Sequence, residues 1–173
     1  YGRVKSIRRC ISCLGGCWQE SLMAQKEIAC SINAACGDPR YGQMRPAGKP
    51  VKVAVVGGGP AGMEAARIAT ERGHAVTLFE KHDELGGAML YVCLVPGKEK
   101  MRWYLDWIRD QLLDLDVDIR LGHAPTVDEL RDYDIVLNAT GARSYVPECH
   151  GDSSAVVPFE EAMACPKISC ECH

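Results

Sequence analysis

Residues 51–80 read VKVAVVGGGPAGMEAARIATERGHAVTLFE, and this stretch decides the fold. Val51 to Val56 is a short β-branched apolar run, which by composition and length is a strand buried in a parallel sheet. Three glycines follow it, and then Ala61 to Arg72, rich in Ala, Met and Glu, predicts a helix. His74 to Glu80 predicts a second strand. Gly57, Gly59 and Gly62 fit G-x-G-x-x-G between the first strand and the helix. The three glycines serve different ends. Gly57 permits a tight turn, Gly59 the close approach of a pyrophosphate, and Gly62 close helix packing. The helix opening at Pro60 and Ala61 turns a positive dipole end toward phosphates. Glu80, eighteen residues after Gly62 and followed by Lys81, is placed to accept hydrogen bonds from an adenosine ribose. The bland alternative is a tight turn between strand and helix with no ligand.

Outward from this stretch the alternation continues. Met101, Tyr104, Leu105, Ile108, Leu112 and Leu115 repeat at three and four residues, predicting an amphipathic helix within 97–115. Val117 to Leu121 predicts a short strand. Thr126, with Glu129 three residues on, predicts a capping box opening a brief helix through Leu130. Tyr133 to Asn138 predicts a further buried strand, closed by Ala139, Thr140 and Gly141. Strands alternating with helices predict an α/β class and a Rossmann-like parallel sheet. The expected organisation is a cysteine-rich segment at 1–37, a Pro/Gly linker at 38–50, the Rossmann-like domain at 51–147 and a tail at 148–173.

Composition narrows the function classes. The 173 residues carry 20 Lys plus Arg against 23 Asp plus Glu, a formal charge of −3. Nucleic-acid binders carry a basic excess, so that class is set aside. No run approaches the length of apolar sequence a membrane helix needs. Apolar residues at 47% and charged residues at 25% suit a folded chain and not a disordered one.

The unusual number is ten cysteines. Cys10, Cys13, Cys17 and Cys30 form C-x2-C-x3-C-x12-C, three close thiols and one distant closer, a common way to hold an iron–sulfur cube. Gly15 and Gly16 allow the backbone to fold tightly there. Zinc is the rival, since four thiolates also suit a tetrahedral ion, although structural zinc sites favour two C-x2-C pairs. Disulfides stand third, because cysteine usage beside these motifs suits a reducing, cytoplasmic compartment. Cys36, Cys93 and Cys149 are expected to be small packed side chains. Cys165, Cys170, Cys172 and His173 read as incidental or as part of another metal site.

Together the strings RRCISCLGGC, ACSINAACG, VAVVGGGPAGMEAARIATERGHAVTLFEK, LGGAM, VPGKEK and ATGARSYVPECHG resemble one family. From about Arg8 to Gly151 the chain is similar to the middle of the 2,4-dienoyl-CoA reductase and trimethylamine dehydrogenase group, iron–sulfur relatives of old yellow enzyme. The resemblance implies that Cys10, Cys13, Cys17 and Cys30 hold a 4Fe–4S cluster. It also implies that the first glycine loop, Glu80, Gly86, Gly87, Thr140 and Gly141 surround FAD, or bare ADP as in the amine dehydrogenase branch. Members of the group begin with a barrel that carries FMN and the substrate site, and they add a nucleotide-binding domain for NAD(P)H. Neither is found in this sequence, so both are expected on missing parts or on partner subunits, and the tail at 148–173 as the start of that insertion. The chain begins at Tyr1 and ends at His173, both of which look cut.

The function that the resemblance implies is the electron-transfer part of an NAD(P)H-dependent flavin and iron–sulfur oxidoreductase, of enoyl- or dienoyl-CoA reductase type. NAD(P)H would reduce FAD, and the cluster would pass electrons singly to FMN elsewhere. Two other classes stay open. One is an FAD module similar to the small subunit of glutamate synthase, whose cysteine spacing differs. The other is a non-catalytic nucleotide-binding module with structural zinc. In any of these the chain alone is expected to expose apolar surface around Val136, Leu137 and Val146.

Overall fold

The computed structural model describes residues 4–42, 44–145, 148, 150 and 156–164. Val146, Cys149, Cys165, Cys170, Cys172 and His173, for which the sequence raises expectations, lie outside the described residues. A 3₁₀ turn (Val4–Ser6) and a π-helix (Gly15–Met23) precede a short helix α1 (Pro39–Gly42). The nucleotide layer then runs β1 (Lys52–Val56), α2 (Pro60–Glu71), β2 (Ala75–Phe79), α3 (Met89–Val92), α4 (Met101–Asp114), β3 (Asp118–Arg120), α5 (Val127–Leu130) and β4 (Ile135–Asn138). Helix α6 (Phe159–Ala164) follows. The expected strands and helices all occur within a few residues of their predicted bounds. Helices α1, α3 and α6 and the π-helix have no counterpart in the sequence reading, since each is short or lacks a clear apolar period.

The four strands form one parallel sheet in the order β3-β2-β1-β4. Strand β1 sits in the middle, pairing Val53 with Val76 and with Ile135. Val53, Val55, Val76 and Leu78 pack with Met63 and Ala66 of α2 and Leu105, Ile108 and Leu112 of α4. Met63, Leu78, Leu105, Ile108 and Leu112 are fully buried, each contributing roughly 1.5–3 kcal/mol. The predicted capping box is present: the Glu129 N–H donates to Thr126 Oγ1, and the Thr126 N–H donates to Glu129 Oε2 at 2.7 Å. None of the helices is long and apolar enough to cross a membrane among the described residues.

One expectation fails. The apolar run predicts a buried β4, yet Ile135, Val136 and Leu137 are 44%, 44% and 37% exposed. It is an edge strand, paired on one side with β1 only, and all four of its residues are exposed. Val136 and Leu137 therefore present the apolar surface expected from the sequence.

The cysteine-bearing segment shares the same core. Ile11 and Ile32 are buried within it, and Cys30 packs against it. Arg8 ties the two parts together: its guanidinium stacks 3.8 Å over Trp107 and donates to the Ile32 carbonyl at 2.7 Å and to Asn33 Oδ1 at 3.1 Å. Behind it Arg67 grips Glu64 and Glu71. Burial, then the nearby Glu64 charge, pushes the Tyr104 hydroxyl up to about 12. Arg8→Ala should lower the unfolding free energy by about 1–3 kcal/mol, from the lost charged hydrogen bonds and the cation–π contact. Urea unfolding followed by tryptophan fluorescence checks this, since Trp107 is the stacking partner.

Candidate functional site

The first glycine turn is built by exclusion. Gly57 has φ +111°, and a Cβ there would strike the backbone of Ala139. A Cβ on Gly62 would overlap the Gly57 carbonyl oxygen, so α2 can start this close to β1 only without a side chain. Gly59, the residue before α2, differs: nothing lies within 4 Å of its Cβ position. That open space lies at the N-terminus of a twelve-residue helix, whose dipole favours an anion. Pro60 at the first helical position fixes φ and needs no partner for an N–H. Ala61 is exposed in the same turn.

Glu80 follows directly on β2 and is only 5% exposed. Its Oε2 accepts from the Gly58 N–H at 2.6 Å and its Oε1 from the His82 N–H at 2.9 Å. Each oxygen keeps a further lone pair for an outside donor. The carboxylate is thereby anchored at the floor of the glycine turn. Lys81, next to it, is exposed.

The second glycine pair closes against the first. Gly86 and Gly87 have φ +135° and +53°. The Gly86 N–H donates to the Gly58 carbonyl at 2.8 Å, and a Cβ on Gly87 would lie 3.0 Å from Gly59 Cα. Past β4, Ala139 backs Gly57, and its N–H bonds the Val56 carbonyl at 2.8 Å. The exposed Thr140 donates through Oγ1 to Asn138 Oδ1 at 2.8 Å, and Gly141 follows with φ +79° in open space. Gly57, Gly59, Gly62, Glu80, Gly86, Gly87 and the start of the 139–141 turn thus share one end of the sheet. Two further residues, which no motif marks, belong to this end: Asn138, which ties the Thr140 turn, and Arg109, which reaches Leu85 from α4. Asn138 has a local signal, as Asn next to a turn bonds its own backbone two residues on. Arg109 has none.

The cysteine loop is arranged otherwise. Cys10, Cys13 and Cys17 are exposed and Cys30 is partly buried. Ser12 and Leu14 hold left-handed backbone, φ 57° and 56°, which folds the loop tightly. The Ser12 N–H donates to Cys10 Sγ at 3.3 Å, and Cys13 Sγ lies 3.3 Å from Ser31 Oγ. Hydrogen bonding to Ser31, then to the Gly15 N–H, pulls the Cys13 thiol below its ordinary pKa. Gly16 packs so closely that a Cβ would overlap the Ala29 carbonyl. The loop of Cys13 and Cys17 therefore lies directly on the segment of Cys30. Among the described residues no three or more His, Cys, Asp or Glu side chains converge closely enough to hold a single ion. Six described cysteines are free thiols, among them the half-buried Cys36 and Cys93, and of these two only Cys93 packs against the core.

Known proteins share this outline. A family described as an NAD(P)-binding Rossmann-like domain matches residues 55–105. The NADH oxidase of Thermoanaerobacter brockii is 39% identical over 154 residues, covering 87% of this chain and 24% of that protein. Among solved structures, 2-naphthoyl-CoA reductase in complex with 2-naphthoyl-CoA superposes with a TM-score of 0.79 at 33% identity, over 85% of this chain and 23% of that one. Histamine dehydrogenase from Rhizobium sp. 4-9 gives 0.74 at 28%, over 91% of this chain and 25% of that one. The chain spans about a quarter of the length of these relatives. A reductase and an amine dehydrogenase thus share its fold over most of this chain, and the chain resembles a portion of the 2,4-dienoyl-CoA reductase and trimethylamine dehydrogenase group.

Proposed function

We propose that this chain is the electron-transfer portion of an NAD(P)H-dependent oxidoreductase, holding FAD or ADP at the sheet end and a 4Fe–4S cluster at the cysteine loop. The observation that carries this reading is the cradle: open space at Gly59, the α2 N-terminus, and the anchored Glu80 carboxylate beside them. Gly59, Pro60, Ala61 and Gly62 receive the pyrophosphate, and Glu80 with Lys81 beside it receives the adenosine ribose. Gly86 and Gly87 wall the cradle on one side, with Thr140 and Gly141 on the other, and that second glycine pair favours FAD over a nicotinamide dinucleotide. Cys10, Cys13, Cys17 and Cys30 ligate the cluster, with the Ser12 N–H bonded to a cysteine sulfur as donors around iron–sulfur clusters are. When bound, a flavin converts two-electron reduction into single-electron steps, which is why flavin and cluster belong together. No side chain of this chain need act as an acid or base in that transfer.

In this reading the division is as read from the sequence: cluster segment 1–37, linker 38–50, nucleotide layer 51–147. An FMN barrel and a nicotinamide-binding domain lie on the remaining portion or on partner subunits. The exposed Ile135, Val136 and Leu137 mark where such a portion covers β4, since an open apolar edge strand is otherwise an aggregation site. The isolated chain should therefore self-associate, and size-exclusion chromatography with and without the remaining portion checks this. Cysteines kept for a cluster and not for disulfides support a reducing compartment, the cytoplasm.

Glu80→Ala should weaken ADP binding by about 1–3 kcal/mol, the loss of a charged hydrogen-bond partner, and Glu80→Gln by less. Titration calorimetry with ADP measures both. Equal ADP affinity in Glu80→Ala and the parent would remove the ribose role.

A further inference from the structure

We propose that Arg109 is a positioning residue for the nucleotide, reaching from α4 to lock the second glycine turn against the first. This rests on the dinucleotide reading above. Arg109 Nη2 donates to the Leu85 carbonyl and, at 2.6 Å, to Glu84 Oε1. Its side chain is only 23% exposed, so these bonds are partly shielded from water.

The Leu85 carbonyl and the Gly86 N–H belong to one peptide plane. Arg109 holds that plane by its oxygen, and the Gly58 carbonyl holds it by its nitrogen at 2.8 Å. Both glycines after it occupy backbone that only glycine adopts easily, so the turn has little stiffness of its own. The plane's orientation sets where Gly87 stands against Gly59, and Leu85 lies against Gly58, whose N–H holds Glu80. A single charge-assisted bond from a helix 24 residues away therefore controls one wall and, through Gly58, the carboxylate at the floor. Arg109 touches no part of the open space itself; it acts through Leu85 and Gly86.

The test uses ADP, whose proposed contacts all lie in this chain, titrated calorimetrically into the chain and its variants below their unfolding midpoints. Arg109→Ala should raise the ADP dissociation constant about tenfold, the equivalent of one charged hydrogen bond. Arg109→Lys, which keeps a charged donor, should recover most of that loss. Arg67→Ala serves as the control for general destabilisation: it breaks the ion pairs to Glu64 and Glu71 and should lower the thermal midpoint without changing ADP affinity. An Arg109→Ala chain that binds ADP as tightly as the parent overturns the positioning role and leaves the nucleotide reading standing. So does a loss that Arg109→Lys fails to reduce and that Arg67→Ala reproduces, since that pattern is instability alone. A parent chain that binds neither ADP nor FAD overturns the nucleotide reading and this inference with it.

Discussion

Replacing any one of Cys10, Cys13, Cys17 and Cys30 by Ala should abolish the proposed 4Fe–4S cluster while ADP binding survives. The expected loss is close to complete, because a cube with an open corner is exposed to solvent and oxidant at a loop whose thiols are already mostly exposed. The nucleotide site should be indifferent for a structural reason. Its glycines and Glu80 stand on β1, α2 and β2, and the cysteine segment meets that layer through Ile11, Ile32 and Arg8. Cys30→Ala should carry an added stability cost, since Cys30 alone of the four packs against the core. The measurement is iron per chain after anaerobic reconstitution, with ADP affinity on the same sample. Four Ala variants that all retain the parent's iron would remove the assignment.

Gly62→Ala is the second large effect, and it acts on the other site. The new methyl would overlap the Gly57 carbonyl oxygen and also approach Ala139, so α2 must back away from the strand. Backbone cannot yield as a flexible side chain would, and such overpacking costs about 1–3 kcal/mol. The displacement moves the helix N-terminus off the space beside Gly59, so ADP affinity should fall by about tenfold or more, beyond the stability loss. Thermal unfolding and ADP titration of Gly62→Ala report the two costs separately. A chain that loses stability but binds ADP as before would show that the α2 N-terminus does not hold the phosphates.

Much of the layer is legible in the sequence because local chemistry and global fold agree there. The β-branched run at β1, the glycine spacing and the Thr126–Glu129 box each declare an element within a few residues. The apolar run of β4 does not by itself tell a covered strand from an open edge, so the exposure of Val136 and Leu137 is legible only from the resemblance, which implies missing parts, and not from the pattern. In the cysteine segment, spacing picks out the four thiols, but nothing in the sequence foretells that Gly16 presses on Ala29 or that Cys13 approaches Ser31. Those contacts, like Arg109 with Leu85 and Arg8 with Trp107, join residues far apart in the chain, and no periodicity or motif encodes them.

If, as proposed, one short chain holds both a nucleotide and an iron–sulfur cluster, both should show in a single sample. The direct measurement is the visible spectrum and metal content of the anaerobically reconstituted chain after addition of FAD, taken across its size-exclusion peak. A broad cluster shoulder in the blue, flavin bands above it, and about four iron per chain are expected. A colourless peak with one zinc per chain and no retained nucleotide would contradict both assignments.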